Sequence, residues 1–261
     1  MMHASQRATP VAANRCLALV SQIVGMAEKW GLRKGGQNPC RGVKRFPERP
    51  RELYLTDEEL GRLGNALRDA EGGYRSLGLS RRFLETKFIR NTPEDWRALA
   101  AIRLLILTGA RMTEILSLRW DSIDNKRGIA RLSDSKTGPK LLFFPERANV
   151  LLEHIRIRVE KEYRGSPFVL PGDRPLKHFQ GLFHPWQRIR AIAQLESLRI
   201  HDLRHVFAST AVSSGQSLYI VGRILGHRQP ATTQRYAHLD VAPVQAVVNR
   251  TAEQLSQYLS P

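Results

Sequence analysis

The chain has 261 residues, enough for one substantial core and for either one large domain or one domain with a partial second. Its 41 Lys and Arg against 24 Asp and Glu leave a formal net charge of +17. That excess points to a polyanionic partner, since a basic surface gains salt-dependent affinity for nucleic acid by releasing counterions from each neutralised phosphate, although ribosomal and membrane-surface proteins share the balance. The two cysteines, Cys16 and Cys40, have no metal-ligand spacing and read as reduced thiols. No hydrophobic run follows the polar N-terminus, and no apolar stretch approaches the ~18 residues of a membrane span. The expected location is the cytoplasm, with no membrane partner.

In chain order, Ala12 to Leu32 predicts an amphipathic helix whose stripe is Leu17, Val20, Ile23, Val24 and Ala27. Gly35 to Arg51, rich in Gly, Pro and basic residues, reads as an interdomain linker. Thr56-Asp57-Glu58-Glu59 is a capping-box signature for a helix running to about Ala70. Gly72 to Pro93 has no clean period and reads as a solvated insertion, or as loop and short helices at a DNA surface. Ala98 to Leu107 is apolar and helical, Gly109 breaks it, and a short helix carries Arg111, Glu114, Ile115 and Leu116.

The period then changes. Ile129 to Leu132 and Lys140 to Phe144 predict two strands joined through the turn-rich Asp134-Ser135-Lys136-Thr137-Gly138-Pro139. Helices dominate again from Val150. Leu203, Val206, Phe207, Thr210 and Ala211 form a stripe ending at Gly215, Ser217 caps another helix ending at Gly226, and Val244 to Leu259 predicts a last one. The fold class is mainly α with a small antiparallel β-sheet, an α+β arrangement.

Five segments carry chemistry: Thr108-Gly109-Ala110-Arg111 with Glu114, Ser135-Lys136-Thr137-Gly138, His201-Asp202-Leu203-Arg204-His205, Leu225-Gly226-His227, and Thr233-Gln234-Arg235-Tyr236-Ala237-His238. Two guanidiniums match phosphate oxygens in a planar fork and are worth most where charge grows in the transition state. A tyrosine hydroxyl is a poor nucleophile at neutral pH unless a base or a positive pocket takes its proton, and histidine can be that base. A departing 5′-alkoxide needs an acid, which Lys136 on a hairpin tip can supply.

Each residue also has an ordinary explanation. His201 and His205 at i, i+4 suit a helix-surface pair or half of a zinc site; Lys136 suits a solvated turn; Arg111 suits a salt bridge to Glu114. Tyr219 and Tyr258 compete with Tyr236 as nucleophile. Taken together, however, the order Arg, Lys, His-x-x-Arg, His, Tyr resembles the tyrosine recombinase (phage integrase) family from about Glu52 to Leu239. Tyr236 stands nine residues after His227, matching that family's spacing.

The resemblance implies the integrase catalytic-core fold over residues 51–261 and, over residues 1–50, a linker and the last part of a helical core-binding domain. Family members usually carry that domain complete, so either a truncated gene product or a trimmed piece is expected here. It implies Arg111 and Arg204 on the scissile phosphate, Lys136 as general acid, His201 assisting proton transfer with Tyr236, and His227 on the phosphate. Tyr236 becomes linked to the 3′-phosphate, while Glu114 and His205 support the cluster from behind. No cofactor or metal is implied. Double-stranded DNA, a homo-tetramer on DNA and accessory DNA-bending proteins are the implied partners, with the last helix docking in cis or onto a neighbour. Two rivals remain: a type IB topoisomerase, which shares this chemistry, and a DNA-binding remnant that occupies recombination sites without strand exchange.

Overall fold

The computed structural model describes residues 9–48, 54–74, 92–133, 138–227, 229–239, 248 and 251–253. The chain divides into two units, Met1–Arg51 and Glu52–Pro261.

The first unit is helix α1 (Pro10–Lys29) and a return segment. Pro10 opens the helix, where its missing N–H costs nothing. The predicted linker is tied back to α1 by side-chain amides: Asn14 Nδ2 donates to the Phe46 carbonyl at 2.8 Å, its Oδ1 accepts the Phe46 N–H at 2.9 Å, and Asn38 Nδ2 donates to the Ser21 carbonyl at 3.1 Å. The predicted apolar stripe is not what this unit buries. Ala13 and Asn14 are the buried residues of α1, whereas Val20 and Ile23 are exposed. Among the described residues, one helix and an irregular return segment have no second apolar face to offer it. A second expectation also changes: the 20 residues of α1 are long and apolar enough to cross a membrane by length and composition, a test that core helices of soluble proteins also pass.

In the second unit, helix α2 (Asp57–Gly72) begins with the predicted capping box. Glu59 N–H donates to Thr56 Oγ1 at 3.2 Å, and the Thr56 N–H donates to Glu59 Oε2 at 2.9 Å. Helix α3 (Trp96–Thr108) starts on Asp95, whose carboxylate accepts the Arg97 N–H at 2.8 Å. It is buried nearly all round, as its run of Leu, Ile and Ala requires. Gly109 ends it at φ 61°, and a Cβ there would lie 2.5 Å from Phe207, so both conformation and packing demand glycine.

Arg111 precedes the short helix α4 (Met112–Leu116) as its N-cap. The sheet has three antiparallel strands in the order β1 (Ile123–Asp124), β2 (Ile129–Leu132), β3 (Lys140–Phe143), with Leu132 opposite Lys140 and Ile129 opposite Phe143. The two predicted strands are present. The two-residue β1 was missed, being too short to show an alternation.

Helix α5 (Glu146–Glu162) buries Ala148, Leu152, Ile155 and Val159. After an irregular stretch come α6 (Phe183–Ile192), α7 (Asp202–Ser213) and α8 (Leu218–Leu225), the last capped by Ser217 and closed by Gly226 at φ 69°. Two 3-10 turns follow, Pro230–Thr232 and Gln234–Leu239.

The main core joins α2, α3, α5 and α6 around Leu63, Ile102, Leu104 and Ile189. Each such side chain contributes about 1.5–3 kcal/mol over leaving it in water. A smaller cluster of Ala208, Val212, Val221, Leu225 and Tyr236 binds α7, α8 and the last turn. Most of the predicted insertion, the hairpin tip 134–137 and most of the last predicted helix lie outside the described residues; of that helix, residues 248 and 251–253 are described, all helical.

Candidate active site

The chain-separated motifs converge where α3 and α8 end. Arg204, on the first turn of α7, is buried, and its guanidinium closes the ends of both helices. Nη1 donates to the Gly109 carbonyl at 2.9 Å and Nη2 to the Leu225 carbonyl at 2.6 Å. These are the carbonyls that a helix leaves unsatisfied at its C-terminus, where the dipole favours a cation. Burial, with Arg111 nearby, still pushes the Arg204 guanidinium down to about 10, against the pull of Glu114 and Tyr236, so it stays charged at neutral pH.

Arg111 is held by a reciprocal contact with Glu114: its N–H donates to Glu114 Oε2 at 2.9 Å and its Nη1 to Oε1 at 2.8 Å. Lys140, at the start of β3, brings its Nζ to 2.7 Å from the same Oε2, with side chains 7% and 5% exposed. Burial raises the Glu114 carboxyl, but the Lys140 and Arg111 donors outweigh it and leave the group below its ordinary value. Burial also pushes the Lys140 ammonium down; Glu114 opposes this, while Arg204 and Arg111 add to it. Three cations around one carboxylate leave a surplus of positive charge suited to a phosphodiester.

The tyrosine side is built from α7 and the last turn. Tyr236 is 6% exposed, and its hydroxyl shares a hydrogen bond with His205 Nδ1 at 2.5 Å. His227 Nδ1 shares one with Thr233 Oγ1 at 2.8 Å, and the Tyr236 N–H donates to the Thr233 carbonyl at 3.0 Å. Gly222 makes room for this turn, since a Cβ on it would lie 2.8 Å from Thr233 Oγ1. His201 is exposed at the N-cap of α7, its ring edge-on to His205 with centroids 5.6 Å apart. Desolvation and then the charge of Arg204 lower the His201 imidazole, Asp202 opposes, and Arg111 and Arg199 reinforce the shift.

Arg111, Glu114, Arg204, His205 and Tyr236 are thus linked through contacts or mutual electrostatics, and His201 abuts His205. Lys136 lies outside the described residues. In this structure the Tyr236 hydroxyl meets His205, where the sequence reading gave His201 that task. The sequence alone does not separate the two, because which of them lies inside α7 depends on where that helix begins. Lys140 was missed as a site residue; in the sequence it is an ordinary first residue of a strand, and only the fold buries its ammonium.

A mainly helical fold with a three-stranded antiparallel sheet and an Arg, His, Tyr cluster at the ends of its helices defines a tyrosine recombinase catalytic domain. The chain belongs to the phage integrase family, whose model matches residues 83–242. It is 31% identical over 161 residues to the tyrosine recombinase XerD of Pasteurella multocida, covering 56% of this chain and 52% of that protein. The match to XerD of Pseudomonas putida is 31% over 153 residues, covering 56% and 51%. The chain therefore spans about half the length of the curated relatives it matches. Among solved structures, the fold resembles the Tn1549 transposon integrase in complex with transposon right end DNA, with TM-score 0.61, 16% identity, and 92% of this chain and 79% of that one covered. It also resembles a lambda integrase dimer bound to a COC′ core site, with TM-score 0.59, 16% identity, and coverage of 90% and 76%.

Proposed function

We propose that the chain is the catalytic part of a site-specific DNA recombinase, cutting and rejoining strands through a 3′-phosphotyrosyl intermediate. The observation that carries this reading is the gathering of Arg111, Arg204 and the Tyr236–His205 pair from separate segments into one basic cluster. Arg111 and Arg204 bind the non-bridging oxygens of the scissile phosphate, with His227 beside them. The Tyr236 oxygen attacks phosphorus and its proton passes to a histidine, His205 by contact or His201 next to it. The bond from phosphorus to the 5′-oxygen breaks, and Lys136 protonates the leaving oxygen. The bond energy kept in the phosphotyrosine lets another strand's 5′-hydroxyl reverse the step without ATP, metal or cofactor.

On this reading residues 51–261 are the catalytic domain, and residues 1–50 are the end of a core-binding domain with its linker. The partners are double-stranded DNA and three further copies of the protein, with accessory DNA-bending proteins, in the cytoplasm. The test is a nicked suicide duplex carrying a site from the protein's own genomic flank. Wild type yields a covalent adduct on a denaturing gel, and Tyr236→Phe binds the duplex without forming one. No adduct from a wild type that binds the site would leave the non-cleaving remnant as the better account.

A further inference from the structure

We infer that Lys140 is a positioning residue for cleavage, holding Glu114 so that Arg111 faces the phosphate; the inference rests on the recombinase reading above. The Lys140 Nζ lies 2.7 Å from Glu114 Oε2 and donates to the Leu225 carbonyl at 3.5 Å, the same carbonyl that accepts Arg204 Nη2 at 2.6 Å. Its stem runs against Gly226, where an added Cβ would lie 2.8 Å from Lys140 Cδ. One side chain therefore joins the acid that grips Arg111, the carbonyl beneath Arg204, and the glycine that precedes His227.

The charge arithmetic explains why the site needs it. A buried carboxylate must be compensated, and removing Lys140 would leave a larger share of that compensation to Arg111, drawing its guanidinium closer onto Glu114. With Lys140 taking part of the Oε2 charge, Arg111 meets Glu114 through one Nη and its own backbone N–H. The Arg111 side chain is 19% exposed, while that of Lys140 is 7% exposed and paired, so the arginine is the group presented to a ligand. Donating its proton to a leaving oxygen would break the Lys140 pair with a buried carboxylate, which argues for positioning over acid catalysis.

The experiment compares adduct formation by the full chain on two nicked duplexes, one ordinary and one with sulfur in place of the leaving 5′-oxygen, because a thiolate departs without a proton. Lys140→Met is expected to slow adduct formation about 100-fold on both, the cost of about 1 Å of misplacement. Lys140→Arg, which keeps the cation, recovers most of the rate. Glu114→Gln with Lys140→Met removes both buried charges, melts like wild type and still cleaves on the order of 10-fold slower or worse; this pair carries the test if Lys140→Met does not fold. Wild-type rates in Lys140→Met overturn the inference. So does recovery on the sulfur substrate, which would make Lys140 the proton donor, and so does full recovery in the double variant, which would make its role purely structural. A wild type that forms no adduct removes the recombinase reading and the inference with it, an outcome visible in its own lane.

Discussion

Arg204 and Tyr236 lie in the same cluster but are held in different ways. Arg204 is anchored by carbonyls at the ends of two helices, Gly109 after α3 and Leu225 closing α8. Arg111 is gripped at its backbone and its guanidinium by one buried carboxylate. Tyr236 rides on a six-residue 3-10 turn, steadied by His205, by the Thr233 carbonyl and by packing on α7 and α8. On the proposed reading, a phosphate clamp anchored at helix ends stands beside a nucleophile carried on a short turn, which separates binding from chemistry.

The sharpest break of that separation comes from the clamp. Arg204→Ala takes the donor from the Gly109 carbonyl, leaves the Leu225 carbonyl with the longer Lys140 contact, and removes a charge that grows in importance in the transition state. Adduct formation is expected to fall roughly 10²–10³-fold, with a lower melting temperature. Denaturing gels and a thermal melt on the same preparation check both, and an unchanged melting temperature would deny that Arg204 ties the two helices together.

On the other side, His205→Ala is expected to slow adduct formation about 100-fold, at the lower end of general-base contributions, with duplex affinity by fluorescence anisotropy kept. Affinity falling together with rate would place His205 on the clamp side instead. A milder change, Gly222→Ala, sets a Cβ against Thr233 Oγ1, 2.8 Å away, and displaces the turn that carries Tyr236. Its expected effect is a fall in rate of roughly 10-fold with binding intact; equal losses in binding and rate would show that the two sides move as one.

The smallest effect runs between the sides. Burial and the Arg204 charge hold the His201 imidazole below its ordinary value, which favours its neutral form. In Arg204→Ala, with the largest opposing charge gone, its midpoint should rise toward the ordinary value. Imidazole NMR titration reads this directly, and a midpoint that does not move would mean that the Arg204 charge does not set it.

What the sequence made legible was what local chemistry dictates. Thr56 with Glu59, Gly109 and Gly226 mark helix ends because caps and positive φ depend on neighbouring residues. Arg111, Arg204 and Tyr236 were singled out because their motif words are short and ordered. Lys140 was not, because its burial is set by Glu114 26 positions earlier and Leu225 85 positions later. The choice of His205 over His201 at Tyr236 turned on where α7 begins, a boundary that periodicity places only to within a few residues. The α1 stripe, with Val20 and Ile23 exposed, shows the same limit in reverse, since an amphipathic pattern specifies a face without supplying what covers it.

The most direct test of the central claim is to isolate the covalent protein–DNA adduct, digest both partners and locate the modified residue by mass spectrometry. The account predicts a 3′-phosphonucleotide on Tyr236 and on no other residue. The same modification on Tyr219 or Tyr258, with Tyr236 unmodified, would contradict it.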